Sequence, residues 1–293
     1  MATLEELRKK VESTEQLQSV VKTMKTIAAV SIRQYEKAVQ SLGDFNRTIE
    51  MGFQILLRNA PMRLKIEKPE IHKPMVAVIL GSDQGMCGQF NEQITSHAVN
   101  IMSSWEVKRE NQLVLAVGER IVPSLEAEGA PPEETFTLPG SISGITPMVQ
   151  KLLLTLEELR TRRGIDMVYL FHNRPLTGSS YKPGAIRLLP LDPDWLEKLK
   201  NREWETRMLP VIKMDWDRLF SVVVRYYLFV SLYQALAESL AAENASRIAS
   251  MQAAEKNIDE QLDSLNAQYR HERQRSITEE LFDIIAGFEA LRE

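Results

Sequence analysis

The chain has 293 residues, 44% hydrophobic and 26% charged, with a formal net charge of -4. These are ordinary values for a folded protein of one large domain or two, and they leave no electrostatic footprint for nucleic acid. One cysteine, Cys87, excludes an internal disulfide and a four-thiolate metal site.

Helix breakers divide the chain. All 13 prolines and 10 of the 13 glycines lie between Pro61 and Pro210. Because proline costs about 3 kcal/mol inside a helix, proline-free arms at both ends permit long helices there. The organisation read from this is an N-terminal helical arm over 1–60, a central domain over 61–209 and a C-terminal helical arm over 210–293.

The N-terminal arm carries acidic residues among its bases and no apolar h-region, so it does not read as a signal peptide. Thr3 and Glu6 have the spacing of a capping box. Leu4, Leu7, Val11, Thr14, Leu17, Val20, Met24, Ile27, Ser31 and Tyr35 then recur in steps of three and four, the seam of a coiled coil. One helix is predicted from about Thr3 to about Arg58, weakened by Gly43 and Gly52.

The middle alternates. Met75–Leu80, Leu113–Val117, Met167–Phe171 and Ile186–Leu189 are short apolar runs, separated by helical patterns near Glu92–Arg109, Glu119–Glu128 and Thr146–Arg163. That alternation predicts an α/β fold with a parallel sheet, Rossmann-like, with Ala130–Gly144 a loop.

In the C-terminal arm the seam runs from Leu219 to Tyr269 and resumes at Ile277, Leu281, Ile284, Phe288 and Leu291. Its most apolar stretch, Phe220–Leu240, is interrupted by Arg225, Gln234 and Glu238, short of the roughly 18 uninterrupted residues of a membrane span. The two arms are expected to pair antiparallel. About 56 residues then face about 81, which leaves roughly 35–40 Å of C-terminal helix uncovered at 1.5 Å per residue. An apolar tip of that kind either folds back near Arg270–Arg275 or sits in a socket supplied by a partner. Arg270, Arg273 and Arg275 lie at its neck, where they form an ordinary solvated face or meet an acidic partner loop.

Conventional sites are poorly represented. Gly81–Asn91 is a glycine-rich strand-to-helix turn, but its spacing matches neither nucleotide fingerprint, and Asp83 would repel a phosphate. Cys87 has no neighbouring histidine in sequence to act as a base. His72, His97, His172 and His271 are scattered without metal-ligand spacing. No cofactor, metal or active site is expected.

Four stretches resemble the γ subunit, the central shaft, of rotary F-type ATP synthases. Lys22-Thr23-Met24-Lys25-Thr26-Ile27-Ala28-Ala29 is similar to K-A-M-x-x-V-A-A, and Ser82 to Asn91 is similar to S-D-R-G-L-C-G-x-[FY]-N. Leu232 to Leu236 with Glu243 to Met251 resembles L-Y-x-A-L … S-E-H-x-x-R-M-x-A-M. Arg273 to Leu281 followed by Gly287 resembles R-Q-x-x-I-T-x-E-[LI] and G-A.

The resemblance implies a long antiparallel coiled coil of the terminal helices with a central α/β domain. It implies a non-catalytic shaft that couples ion flow through a membrane ring to ATP chemistry on an α/β hexamer, peripheral on the cytoplasmic face of the cell membrane. The implied partners are the α and β subunits, the ε subunit and the c-ring. Met24 would face the β subunit's moving lever, Arg273, Gln274, Thr278 and Glu280 would meet loops of the hexamer, and Ile284 and Phe288 would enter its apolar sleeve. Gln84, Val30-Ser31, Asn244 and Phe288 depart from the family pattern. They point to a divergent form from an alternative sodium-coupled complex, with the housekeeping form as the other reading. The plastid dithiol insertion is absent. The rival reading is a nucleotide-binding α/β enzyme whose helical arms only oligomerise.

Overall fold

The computed structural model describes residues 3–61, 74–105, 107–176, 180–205, 208 and 210–290, with the side chains of 288–290 excepted. Two compact units result: Met1–Ala28 with Arg247–Glu293, and Ala29–Ser246.

The second unit is built on a five-stranded sheet. Its strands are β1 (Met75–Leu80), β2 (Gln112–Val117), β3 (Glu134–Phe136), β4 (Met167–Pro175) and β5 (Tyr181–Leu189), in the order β3-β2-β1-β4-β5. All six residues of β1 are buried, because it is paired on both sides and covered on both faces. The first four strands run parallel, as expected, but β5 runs antiparallel to β4. The reason is chain length: five residues separate β4 from β5, whereas a parallel return needs a crossover of about a dozen or more. The short β3 lies inside the segment expected to be loop, since Glu134-Thr135-Phe136 offers only one apolar residue to read.

Helices α3 (Phe90–Ser103) and α4 (Val122–Ala127) cover one face, where Ile94, Ala98, Met102 and Leu125 pack on Ala77, Ile79 and Ala116. On the other face, α5 (Ile145–Arg163) and α7 (Trp216–Ala290) bring Val149, Leu152, Leu232, Leu236 and Leu240 onto Val78, Leu115 and Leu170. One stretch of α7 is long and apolar enough to cross a membrane by length and composition. This differs from the sequence reading, which found no run of that length; 22% of the stretch is buried. A third cluster joins α2 (Gly43–Arg58), α6 (Pro193–Asn201) and α7, with Phe53 edge-on to Trp195, Phe220 and Tyr227.

The single N-terminal helix expected over Thr3–Arg58 is two: α1 (Leu4–Ser41) and α2. At the junction the Leu42 N–H donates to Val39 O, three residues back rather than four, and Gly43 opens the second helix. Glycine, with no side chain to stabilise the helical backbone, is where the ladder gives way.

In the first unit the capping box forms as read: Thr3 N–H donates to Glu6 Oε2 at 3.0 Å and Glu6 N–H to Thr3 Oγ1 at 3.3 Å. The helices pair antiparallel, tied by Gln18 to Asp259 and by Lys25 to Glu255. The seam has a different phase from the one read in the sequence. Leu7, Thr14, Val21 and Ala28 are buried at strict heptad spacing, while Leu17, Val20 and Ile27 are exposed. Steps of 14, 17 and 20 rotate the stripe off a 3.5-residue period. The true path passes through Gln18 and Lys25, whose polar side chains face the other helix through hydrogen bonds and charge.

Candidate functional site

The first candidate is the C-terminal end of α7. Along it, Met251 and Leu265 are buried and Ile258, Leu262, Tyr269, Glu272 and Ser276 half-buried, whereas every residue from Ile277 to Gly287 is exposed. The register set by Gln18–Asp259 and Lys25–Glu255 brings the start of α1 abreast of roughly residue 274, so the burial ends where the partner helix ends. The alternative of a fold-back near Arg270–Arg275 is overturned, because α7 continues unbroken to Ala290. Ile277, Leu281, Phe282, Ile284 and Ile285 are each at least 46% exposed, and Ile284 is 68% exposed. The seam of this tip therefore keeps its apolar character with no cover from the described residues.

Among the residues singled out in the sequence, Arg273, Gln274, Thr278 and Glu280 all lie exposed on this stretch, and the Thr278 hydroxyl donates back to Gln274 O at 2.8 Å. Arg273 makes no ion pair among the described residues. Arg275 is held within its own helix by Glu272 and Glu279, at 3.4 and 3.2 Å, so it is the least available of the basic cluster. The side chain of Phe288 and the whole of Leu291 lie outside the described residues. Met24 is half-buried on α1, flanked by the exposed Leu17, Val20 and Ile27. Spacings of three and four place these four on one face, an apolar stripe that the sequence reading had assigned to the seam.

The second candidate is the turn after β1, at the point where strand order reverses between β1 and β4. Open α/β folds bind phosphates in this crevice. Here the side chain of Asp83 turns to the β2–β3 side of β1 instead. The Asp83 carboxylate accepts the Glu119 N–H at 2.8 Å and the Leu138 N–H at 2.6 Å. The backbone donors that follow β2 and β3 are thus taken by an internal anion. Ser82 and Asn91 are paired twice, Ser82 N–H to Asn91 Oδ1 at 3.0 Å and Asn91 Nδ2 to Ser82 Oγ at 2.9 Å. Gly118, at φ +109°, passes so close that a Cβ would stand 2.8 Å from the Ser82 backbone, and a Cβ on Gly81 would stand 2.5 Å from Ile121.

The same turn holds α7. Cys87 is buried with Phe90, Ala242 and Tyr181, and its carbonyl accepts the Ser246 hydroxyl at 2.6 Å. The thiol lies 3.5 Å from Ser82 Oγ and 3.7 Å from Gln84 O. Cys87 is therefore a packing residue at a helix-to-turn joint. A further, partly buried contact, between His172 Nε2 on β4 and Glu238 Oε2 on α7 at 2.9 Å, was not legible in the sequence: 66 residues separate the pair and no local pattern links them.

Comparison with known proteins now decides the family. A family model described as ATP synthase matches residues 3–291, and relatives named ATP synthase gamma chain align with the whole length. The chain belongs to the ATP synthase gamma family. The gamma chain of Pasteurella multocida is 29% identical, covering 99% of this chain and all of that one. That of Haemophilus influenzae is 27% identical, covering 99% and 100%. Among solved structures, the rotor of the Euglena gracilis mitochondrial ATP synthase has a TM-score of 0.63 at 16% identity, covering 94% of this chain and 98% of that one. The central stalk of the Tetrahymena thermophila mitochondrial enzyme has a TM-score of 0.57 at 21% identity, covering 80% and 99%. These two likenesses show the gamma fold. Membership makes this chain a non-catalytic subunit, peripheral within a membrane-associated ATP synthase.

Proposed function

We propose that this gamma-family chain is the central rotor shaft of an F-type ATP synthase, on the cytoplasmic face of the cell membrane, and that the exposed end of α7 is its bearing inside the α/β hexamer. The observation that carries this is the run of exposed Ile277, Leu281 and Ile284 on a helix that continues past its partner. Each such side chain gains about 1.5–3 kcal/mol when fully buried, which an apolar sleeve would supply. Arg273, Gln274, Thr278 and Glu280 would meet the surrounding loops, Phe288 would follow Ile284 into the sleeve, and Met24 with its apolar neighbours would face a β subunit. The ε subunit and c-ring would hold the α/β domain.

The mechanism needs no reactive group on this chain. Three chemically identical β subunits meet different faces of one asymmetric shaft, so the angle of the shaft sets which of them binds, reacts or releases. Coupling of this kind is limited to the difference in contact free energy between angles. The rival reading, a nucleotide at the Gly81–Gly88 turn, is disfavoured by the Asp83 carboxylate inside that turn, an internal anion that bonds the Glu119 and Leu138 N–H groups beside it.

The deciding experiment removes residues 277–293 and purifies the chain with its α and β subunits. Assembly is expected to survive while coupled ATP turnover falls severalfold. Unchanged assembly with unchanged coupled turnover would overturn the bearing.

A further inference from the structure

The unit Ala29–Ser246 contains a cavity that the shaft role does not use. It has a volume of 630 Å³ and lies between strands β4 and β5 and helices α2, α6 and α7. Its charges are sorted by wall. Arg174 and Arg187, with the His172 ring, come from the strands, and the carboxylates Glu50, Asp192 and Glu238 all come from the helical side.

The two walls are not equally satisfied. Each carboxylate has a partner: Glu50 bridges Arg202 at 2.7 Å, and Asp192 meets Arg187 at 3.5 Å and caps α6 by accepting the Asp194 N–H at 3.1 Å. Glu238 accepts from His172 at 2.9 Å and from Gln234 at 2.7 Å. On the strand wall, His172 is fully buried and its Nδ1 has no hydrogen-bond partner, and Arg187 Nε is likewise buried and unpartnered. Arg174 is exposed beside Gly184 and makes no ion pair among the described residues. Buried polar atoms are seldom left unpaired in folded proteins, and each exception asks what satisfies it.

We propose that this cavity binds a small oxyanion, a carboxylate or a phosphate, against the β4–β5 wall. Arg174 and Arg187 supply guanidinium donors suited to a two-oxygen group. Beside them the fully buried His172 ring is fixed by its contact with Glu238. The ligand would tie the sheet to α7 inside this unit. The inference goes beyond the shaft reading and does not rest on it.

The test titrates the full-length chain alone with two separate probes, inorganic phosphate and succinate, by calorimetry and by following the His172 ring nitrogens in ¹⁵N-histidine-labelled protein. One saturable equivalent is expected for the phosphate arm, the succinate arm or both, with a shift at His172. Which probe binds tighter assigns the ligand's chemistry. Arg174→Gln, at an exposed position, should weaken binding at least tenfold without lowering Tm, while Arg162→Gln should change nothing. Absence of saturable binding by both probes, or equal affinity in Arg174→Gln, would overturn the site. Because no other subunit enters the titration, either result leaves the deletion of the α7 tip to be judged separately.

Discussion

Glu238 shows how a single side chain is set by competing effects. Burial alone would raise its pKa, but donation from His172 and Gln234 and the nearby charges of His172 and Arg174 outweigh burial and hold it below the ordinary 4.5. A carboxyl whose folded pKa is depressed adds stability that is complete above its unfolded pKa and is lost as pH falls through the folded value. The acid limb of the Tm–pH curve should therefore be steeper in the parent chain than in Glu238→Gln below about pH 4.5, measured by circular dichroism. Identical limbs would show that the carboxylate gains nothing on folding. Asp83 makes a second prediction. Its two backbone donors lose a charged acceptor in Asp83→Ala, which should cost about 2–4 kcal/mol in urea unfolding.

At the scale of elements, the phase of the N-terminal seam can be tested directly. Val21 is 5% exposed and its neighbour Val20 53%. Val21→Ala should cost about 1.5 kcal/mol, two buried methyl groups at about 0.8 each. Val20→Ala should cost less than about 0.5. Thermal melts of the full chain distinguish the two, and equal losses would put the seam where the apolar pattern alone had placed it. The pattern misled because Gln18 and Lys25 occupy seam positions and are satisfied across the helix pair. Where backbone and local side chains decide, the sequence was legible: the Thr3–Glu6 box, the six residues of β1 and the span of α5 were read almost to the residue. Where the decision is non-local it was less so. The reversal of β5 was hidden because the apolar runs Met167–Phe171 and Ile186–Leu189 stop short of the full strands, Met167–Pro175 and Tyr181–Leu189, whose extensions close the gap; β3 is too short to carry a pattern, and α6 hides among loop residues behind its Asp192 cap.

At the scale of the molecule, the candidate site was readable because it rests on a mismatch of helix lengths, which counting residues reveals. The cavity beside His172 was not, because its lining comes from five elements spread between Asn46 and Glu238. The uncovered tip makes the last prediction. Outside its complex the chain should self-associate through Leu281, Ile284 and their neighbours. The double substitution Leu281→Lys, Ile284→Lys should keep it monomeric at severalfold higher concentration in sedimentation runs, while lowering coupled turnover after assembly. A variant equally prone to associate would show that the tip is not the sticky surface. The junction at Leu42 has its own mechanical consequence. Along α7 the hydrogen-bond ladder is seamless from Trp216 to Ala290, whereas α1 and α2 meet through a three-residue step. Under torsion the two strands of such a pair do not yield alike. Elastic compliance is expected to concentrate at the joint near Gly43, with one helix a stiff spar and the other its hinged companion.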